Sequence, residues 1–373
     1  MAHSLLSPSS AKRWVACQAS IGMQLKHPET KESEYALEGT KAHELLERTL
    51  HSIKTFNKKL TPVDADVSEE MHKTVNEAIV FLIHLMADND LVWSNVHTEV
   101  KLKISSVHES CYGTADILIF DDEKNEAWVI DYKHGKGVLV ESDDPQLLLY
   151  AIGVNDTYGK NFSKVHTMVL QNNHHLWKPK IKTYTQFQLN HSAKYFKAAA
   201  KKALSEVSEP KTFVPGEDQC RWCSAAPHCG AFNAKALSVL NEELMETMTI
   251  QEKLDLIPLV KQWIDKTEKF AIYTAWTESI PGYKLINSRT SRRWKYSEDQ
   301  ILEKLSQLLP TPLFDQATQE KLLSPTQLIK LLPKGEKDYL DDLIERPVGK
   351  LTLVPDTDSR AETIDQDFAD PNI

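Results

Sequence analysis

Residues 112–133, YGTADILIFDDEKNEAWVIDYK, contain two apolar segments, TADILIF (114–120) and AWVIDYK (127–133), joined by the turn DDEKNE. Short apolar runs bounded by turn residues are typical of β-strands. The stretch therefore predicts two neighbouring strands of one sheet. Before them, VHTEVKLKI (96–104) alternates apolar and polar residues and predicts a half-buried strand, and VHTMVLQ (165–171) predicts a fourth strand.

Helical periodicity surrounds these strands. The predicted helices cover residues 33–56, 68–90, 145–156, 186–208 and 238–280, with a kink at Pro258. GYKLINSRTSRRWKY (282–296) reads as a hairpin-like segment, and residues 298–345 as short helices broken by prolines. This order predicts an α/β fold with a mixed central sheet flanked by helices, followed by a mainly helical C-terminal region.

Composition narrows the class of protein. The 373 residues are 41% hydrophobic and 26% charged, which is ordinary for a globular chain. No apolar run reaches the length of a membrane-spanning helix, and the first residues lack the pattern of a secretory signal, so we expect a cytoplasmic protein without a membrane partner. The net charge is −9, of which residues 355–373 hold −5 through six acids against one arginine. We expect this acidic tail to be disordered.

Acidic and basic side chains meet on the two central strands. Asp116 lies in the first strand after Gly113, and Asp131 and Lys133 are two apart in the second, so they share a face of that strand. Carboxylate oxygens suit Mg²⁺ or Mn²⁺, and a lysine beside them can stabilise a developing negative charge. His43, on a predicted helix, is a candidate additional ligand, and Gln146 with Tyr150 lie one turn apart on another helix.

Taken singly, each of these features has an ordinary structural explanation. An acid two residues from a lysine is common on a solvated strand, and a helical histidine is commonly a surface residue. Their order along the chain resembles the PD-(D/E)XK nuclease superfamily and, within it, the RecB-type exonucleases, over roughly the first 235 residues. The matching residues are His43, Asp116, Asp131 with Lys133, and Gln146 with Tyr150.

The resemblance implies a restriction-endonuclease-like core and a set of roles. In the family the histidine, both acids and a backbone carbonyl, here that of Tyr132, hold the metal, and the lysine is catalytic. Gln146 and Tyr150 would brace the lysine or contact the sugar-phosphate backbone. Glu99 occupies a place where some members carry an extra acid, although a structural or merely exposed role is the stronger expectation for it.

Three of the five cysteines fall within ten residues, as Cys220, Cys223 and Cys229. Cys17 could supply a fourth ligand, and four thiolates suit either a [4Fe–4S] cluster or a structural zinc, for which His228 is an alternative ligand. A subset of RecB-type exonucleases, including CRISPR-adaptation exonucleases and AddB-type helicase–nucleases, resembles this arrangement of one early and three late cysteines. That resemblance favours a structural [4Fe–4S] cluster over Zn²⁺, although Gln18 stands where the family usually has proline.

The C-terminal third contains a basic-aromatic stretch, with Arg289, Arg292, Arg293 and Trp294. Such a mixture suits single-stranded nucleic acid, and an equally good alternative is that the tryptophan is core and the arginines are solvated. The layout, including RTSRRW and the closing GKLTLVP (349–355), resembles an uncharacterised, often phage-encoded branch of the same superfamily.

These observations predict three parts: a nuclease domain with a cysteine staple (1–235), a mainly helical region (236–354) and the acidic tail (355–373). The predicted function is a Mg²⁺- or Mn²⁺-dependent DNA exonuclease acting on ends or single strands in phage recombination or DNA processing. A phage single-strand annealing or recombination protein is the predicted partner, within the cytoplasm of a bacterial host. The alternatives are a non-catalytic DNA-binding or assembly module on a nuclease fold, and a zinc-stapled structural protein.

Overall fold

The computed structural model describes most of the chain. The described residues are 4–28, 34–56, 67–135, 140–171, 180–205, 213–288, 290–318, 322–332, 340–345, 347, 351–355, 358 and 360. Arg289 and nearly all of the acidic tail therefore lie outside the described residues. The chain divides into two compact units, Met1–Lys266 and Thr267–Ile373. This division falls within a long helix, whereas the sequence places the end of the first domain at residue 235.

A five-stranded mixed sheet forms the centre of the first unit. Its strands are β1 (Val96–Lys103), β2 (Tyr112–Asp121), β3 (Glu126–Lys133), β4 (Lys164–Gln171) and β5 (Ile181–Thr185), in the order β1-β2-β3-β4-β5. β3 and β4 are parallel and the other neighbours are antiparallel. A parallel pair needs a crossover connection, and a helix between β3 and β4 provides it.

Helices cover both faces of this sheet. Those of the first unit are α1 (Ala11–Ala16), α2 (Ser20–Lys26), α3 (Glu34–Phe56), α4 (Glu69–Asp88), α5 (Pro145–Tyr158), α6 (Gln186–Ala203), α7 (Glu217–Arg221), α8 (Gly230–Leu237), α9 (Glu242–Thr247) and most of α10 (Ile250–Thr277). The mixed α/β prediction is confirmed, with five strands rather than the four expected.

Alternation along the strands builds two cores. Ile117 and Ile119 pack with α3 and α4, whereas Leu118 between them packs with α1, α5 and α6 on the opposite face. Successive side chains of a strand point to opposite faces, so one apolar run such as ADILIF can serve both cores. The helices of one core and those of the other thus hold the two central strands from both sides.

Local signals fix the helix that crosses between β3 and β4. Asp144 caps the N-terminus of α5 by accepting a hydrogen bond from the Gln146 backbone N–H at 2.9 Å, and Pro145 occupies its first turn. Gly159 ends the helix with a positive φ of 59°. The direction of α5 is therefore set at both ends, and Gln146 lies in its first turn.

Besides the end of α10, the described residues of the second unit form three short helices and two small sheets. They are α11 (Glu298–Leu308), α12 (Thr311–Thr318), α13 (Pro325–Leu331), β6 (Tyr283–Asn287) with β9 (Leu351–Pro355), and β7 (Arg293–Trp294) with β8 (Ile344–Glu345). The predicted hairpin within 282–296 is wrong, because each of its strands pairs with a segment far along the chain rather than with the other. In the described residues, no helix combines the length and the apolar character that crossing a membrane requires.

Candidate metal and phosphoryl-transfer site

Asp116, Asp131 and Lys133 converge at the ends of β2 and β3. Ile117 of β2 pairs with Ile130 of β3 in antiparallel register, so Asp116 and Asp131 stand at the next position of the two strands. The Tyr132 backbone N–H donates to Asp116 Oδ2 at 2.7 Å. This bond holds Oδ2 of Asp116 and leaves Oδ1 to face His43.

Asp131 is almost fully buried, and its carboxylate contacts the side chains of Lys133 and Gln146. Lys133 Nζ lies 3.1 Å from its Oδ1 and 2.9 Å from its Oδ2, and Gln146 Nε2 donates to Oδ1 at 2.9 Å. The shared strand face predicted for Asp131 and Lys133 is therefore observed. The predicted pair on α5 also meets the site, because Gln146 reaches Asp131 from the first turn of that helix.

A second group of ligand atoms surrounds Asp116. His43 Nδ1 of α3 lies 3.4 Å from Asp116 Oδ1, and Glu99 of β1 completes a set whose ligand atoms all lie within 4.8 Å of one another. Within the described part of the chain, this is the one group of three or more His, Cys, Asp or Glu side chains that meets this distance. Asp131 stands outside the set, next to Lys133.

Glu99 has an unusual backbone. Its φ is +49°, in the left-handed region that non-glycine residues seldom adopt. Its neighbours Thr98 and Val100 pair normally with Ile117 and Ala115, so the strand stays in register on both sides of it. Such local strain is held by the surrounding structure and is concentrated at functional sites. The sequence favoured a structural or merely exposed role for Glu99, whereas the structure places its carboxylate together with His43 and Asp116.

The charges of the site perturb one another. Burial raises the pKa of Asp131 and outweighs the nearby Lys133 ammonium, which acts to lower it. Burial also opposes the charge of Lys133, but the attraction of Asp131 and Asp116 is larger, and the pKa of Lys133 is raised. For Glu99, burial raises the pKa, and the Asp116 carboxylate raises it further. Carboxylates crowded in this way repel each other, and a cation between them would relieve the repulsion.

The donor set fits a hard divalent cation. Asp131 Oδ2 is buried and accepts no well-aligned hydrogen bond, although Lys133 Nζ is close, and Asp116 Oδ1 faces His43. Oxygen ligands with one imidazole suit Mg²⁺ or Mn²⁺. Tyr132 contributes its N–H to Asp116 and an edge-to-face ring contact with His43, with ring centroids 5.5 Å apart. A ligand role for its carbonyl stays a prediction.

Tyr150 borders the site from α5. Its side chain is buried, and its pKa is raised first by burial and then by the charges of Asp131 and Asp116. The ring lies against Gly113, where an added Cβ would stand 3.0 Å from Tyr150 Cε1 and 2.9 Å from Pro8 Cδ. A glycine at this position lets the tyrosine approach β2.

The four predicted cysteines line one cavity. Cys17 follows α1, while Cys220, Cys223 and Cys229 lie in and after α7, and the cavity is closed by residues such as Phe213 and Phe232. Burial raises the pKa of Cys220 to about 11, and the other three thiols add to this shift.

Cys111, the fifth cysteine, and His228, which precedes Cys229 in the sequence, are not among the residues that line this cavity. Cys111 packs in the core beside the sheet, and burial raises its pKa to about 12. His228 stacks on His27 with ring centroids 4.0 Å apart. Cys111 therefore lies apart from the four cysteines that line the cavity.

The predicted nucleic-acid residues of the C-terminal third have mixed surroundings. Trp294 donates from its indole N–H to the Leu323 carbonyl at 3.2 Å and packs against the core of the second unit. Arg293 pairs with Glu345 at 2.5 Å, and Arg292 is half-buried. The alternative interpretation of the tryptophan as a core residue therefore gains support from its packing.

The comparison with protein families extends over nearly the whole chain. Residues 3–361 match the family described as "Protein of unknown function (DUF2800)". The chain belongs to this family. Among solved structures, this DUF2800 chain is similar to the crystal structure of SSO0001, with 15% identity and a TM-score of 0.25, covering 60% of this chain and 95% of that one. A score this low carries no argument about fold or function.

Sequence reasoning missed a groove beside the cluster of this DUF2800 chain. It runs between α3 and β1 and is lined by Leu50, His51, Lys54 and the strand residues 96–100, which include Glu99. The pKa of His97 is lowered by burial and by the charge of Lys54, whose ammonium is close. The i, i+3 spacing of His51 and Lys54 places both side chains on one side of α3, which is the part of the groove that the sequence could indicate. The sequence does not show that β1 lies next to this side of the helix.

Proposed function

We propose that this protein is a PD-(D/E)XK-type, Mg²⁺- or Mn²⁺-dependent nuclease that hydrolyses phosphodiester bonds of DNA as an exonuclease, at ends or on single strands. The observation that carries the proposal is the convergence of Asp116, His43 and Glu99 next to the buried pair of Asp131 and Lys133. A cation-binding group beside a lysine is what phosphoryl transfer requires. The non-catalytic alternative would be favoured by a missing acid or lysine, and none is missing.

A divalent cation at this site would supply Lewis-acid polarisation of the phosphodiester and a water of lowered pKa. His43, Asp116 and Asp131 are the residues that would hold it, with Glu99 as a further carboxylate. The chain itself contributes a positive charge that is already in place. The Lys133 ammonium is held by Asp131, so it can stabilise the negative charge that develops on the phosphate without first having to move. Gln146 keeps the Asp131 carboxylate oriented by its hydrogen bond to Oδ1.

Cleavage of end-labelled DNA with Mn²⁺ or Mg²⁺ tests this function. We expect Asp116→Asn and Lys133→Met to lose activity by about 100-fold or more, as expected when a metal ligand or an electrostatic stabiliser is removed. Asp122→Ala is the matched control, because Asp122 is an exposed aspartate in the turn between β2 and β3. Circular dichroism verifies that each variant is folded. Equal cleavage by all three variants would assign the activity to a contaminant and refute the proposal.

We propose further that Cys17, Cys220, Cys223 and Cys229 hold a structural [4Fe–4S] cluster. Four thiols that line one cavity suit such a cluster or a zinc ion, and the resemblance to RecB-type exonucleases with four cysteines favours the cluster. Such a cluster would tie α1 to the loop that follows α7.

Iron and sulfide analysis of anaerobically purified protein tests this assignment. We expect a brown protein with four irons per chain on the [4Fe–4S] assignment. Cys220→Ser should lose the colour and the iron, while Cys111→Ser should keep both, because Cys111 lies outside the cavity lining. A colourless protein with stoichiometric zinc would overturn the assignment and favour the zinc-stapled alternative.

The biological setting belongs to the same proposal. DNA processing or recombination of a phage or prophage, in the cytoplasm of a bacterial host and with a single-strand annealing or recombination protein as partner, fits an exonuclease that generates single strands. Co-purification with a single-strand annealing protein encoded beside it would test this setting. Its failure would leave the chemistry of the site untouched.

A further inference from the structure

The groove between α3 and β1 opens directly onto the candidate metal site. Glu99 belongs both to the carboxylate–histidine cluster and to the groove lining. β1 is the end strand of the sheet order, so no further strand of that sheet covers this side among the described residues. Whatever occupies the groove therefore lies beside the ligands of the cation.

The lining of the groove changes character with distance from the cluster. Its floor is apolar, with Leu50 and Val96 buried, and its α3 wall carries His51 and Lys54, both exposed. Lys54 Nζ donates to the Val96 carbonyl at 2.8 Å, which fixes the ammonium at the wall. An ammonium has three N–H donors, so this contact leaves two that can point into the groove.

The dimensions exceed those of a single small anion. His43 and Lys54 are eleven residues apart on α3, about 16 Å along the helix axis. His51 is eight residues from His43 on the same helix, about 12 Å along its axis. Donors thus follow the cation site at increasing distances, as successive phosphates of one strand would.

We infer that this groove binds the phosphodiester backbone of the nucleic-acid strand next to the scissile phosphate, with Lys54 and His51 as donors to phosphate oxygens. The inference rests on the proposed nuclease function and adds to it a path for the substrate. Side-chain donors to phosphate position a strand without reading its sequence. Lys54 and His51 are accordingly positioning residues, and the chemistry remains with Asp116, Asp131 and Lys133.

Variants of the two donors test this path. In fluorescence anisotropy with a labelled single-stranded oligonucleotide and Ca²⁺ in place of Mn²⁺, we expect Lys54→Met and His51→Ala each to weaken binding about tenfold, as loss of a hydrogen bond to a charged phosphate would. Lys54→Met should also make the dependence of log K on log salt shallower by about one. In Mn²⁺-dependent cleavage, KM should rise while kcat stays near wild type.

Lys103→Met is the matched control. Lys103 is an exposed lysine on the same strand and does not line the groove, so its variant should bind within about twofold of wild type. If Lys54→Met and His51→Ala behave like Lys103→Met while the wild type cuts DNA, the groove inference fails and the nuclease function stands. If the wild type neither binds nor cuts nucleic acid, both fail together. A fall in kcat without a rise in KM would also overturn a positioning role.

Discussion

Gly113 provides a sharp test of how closely α5 approaches the sheet. A Cβ at this position would lie 2.9 Å from Pro8 Cδ, 3.0 Å from Tyr150 Cε1 and 3.1 Å from Tyr150 Oη. Carbon atoms in contact prefer about 3.5–4.0 Å, so the overlap is roughly half an ångström or more on each side. Neither neighbour can yield easily, because one is a proline ring and the other a buried tyrosine.

The cost of Gly113→Ala follows from these distances. Overpacking of a well-packed site costs about 1–3 kcal/mol. The smaller entropy of the unfolded alanine chain returns about 0.4–1 kcal/mol. We therefore expect a net loss of about 1–2 kcal/mol in the free energy of unfolding, or a fall of about 2–8 °C in Tm for a unit of this size.

Thermal unfolding followed by circular dichroism measures this change. The matched control is Gly39→Ala, because Gly39 lies inside α3 and a Cβ there would meet nothing within 4 Å. Alanine at an open helical position should stabilise the protein by about 0.5–1 kcal/mol. If both variants unfolded at the same temperature as wild type, the close approach of Tyr150 to β2 would be refuted. Mn²⁺ binding should weaken only in Gly113→Ala, since the displaced ring borders the acids.

Three further outcomes follow from the described contacts. Glu99→Gln should weaken Mn²⁺ binding, measured by calorimetry, at least about tenfold, which is the loss typical of changes even outside the ligand shell. The control Glu44→Gln, at an exposed position, should bind Mn²⁺ like the wild type. Equal affinities of the two variants would show that Glu99 is not part of the site. Asp144→Ala should lower the free energy of unfolding in urea by about 1 kcal/mol, because the α5 cap is lost. Asp144→Asn should retain most of that stability, because asparagine also caps helices. If both variants lose it equally, the partly exposed ion pair with Lys12 is responsible instead of the cap. Trp294→Ala should lower the stability of the second unit by about 2–3 kcal/mol, since the indole packs in its core, and unchanged stability with weaker DNA binding would favour the stacking role instead.

The strands and helices that were predictable have strong local patterns. The central strands were predicted from their apolar runs, and α5 from its apolar pattern with Pro145 in the first turn. β5 was missed because only Tyr184 of its five residues is buried, so it shows almost no alternation. The pairing of β6 with β9 was missed because it joins residues about seventy positions apart, and no local rule reports such a contact.

The residues of the candidate site likewise fall into two groups: those that local sequence rules could place, and those whose positions depend on tertiary packing. Asp131 and Lys133 could be placed together from strand geometry alone, and Gln146 from the start of its helix. The contribution of Glu99 depends on a backbone angle that its residue type disfavours, and sequence does not encode that angle visibly. The groove depends on how α3 lies along β1, which is a property of core packing rather than of either segment.

The left-handed backbone at Glu99 has a consequence for the evolution of heat resistance in this chain. Glycine adopts such an angle freely, so Glu99→Gly should relieve about 1 kcal/mol of conformational penalty and survive a screen for thermotolerance. The same replacement would delete a carboxylate from the cation-binding cluster. Sequences selected only for persistence at high temperature should therefore drift toward glycine here, and those selected for cation binding at this cluster should retain the acid.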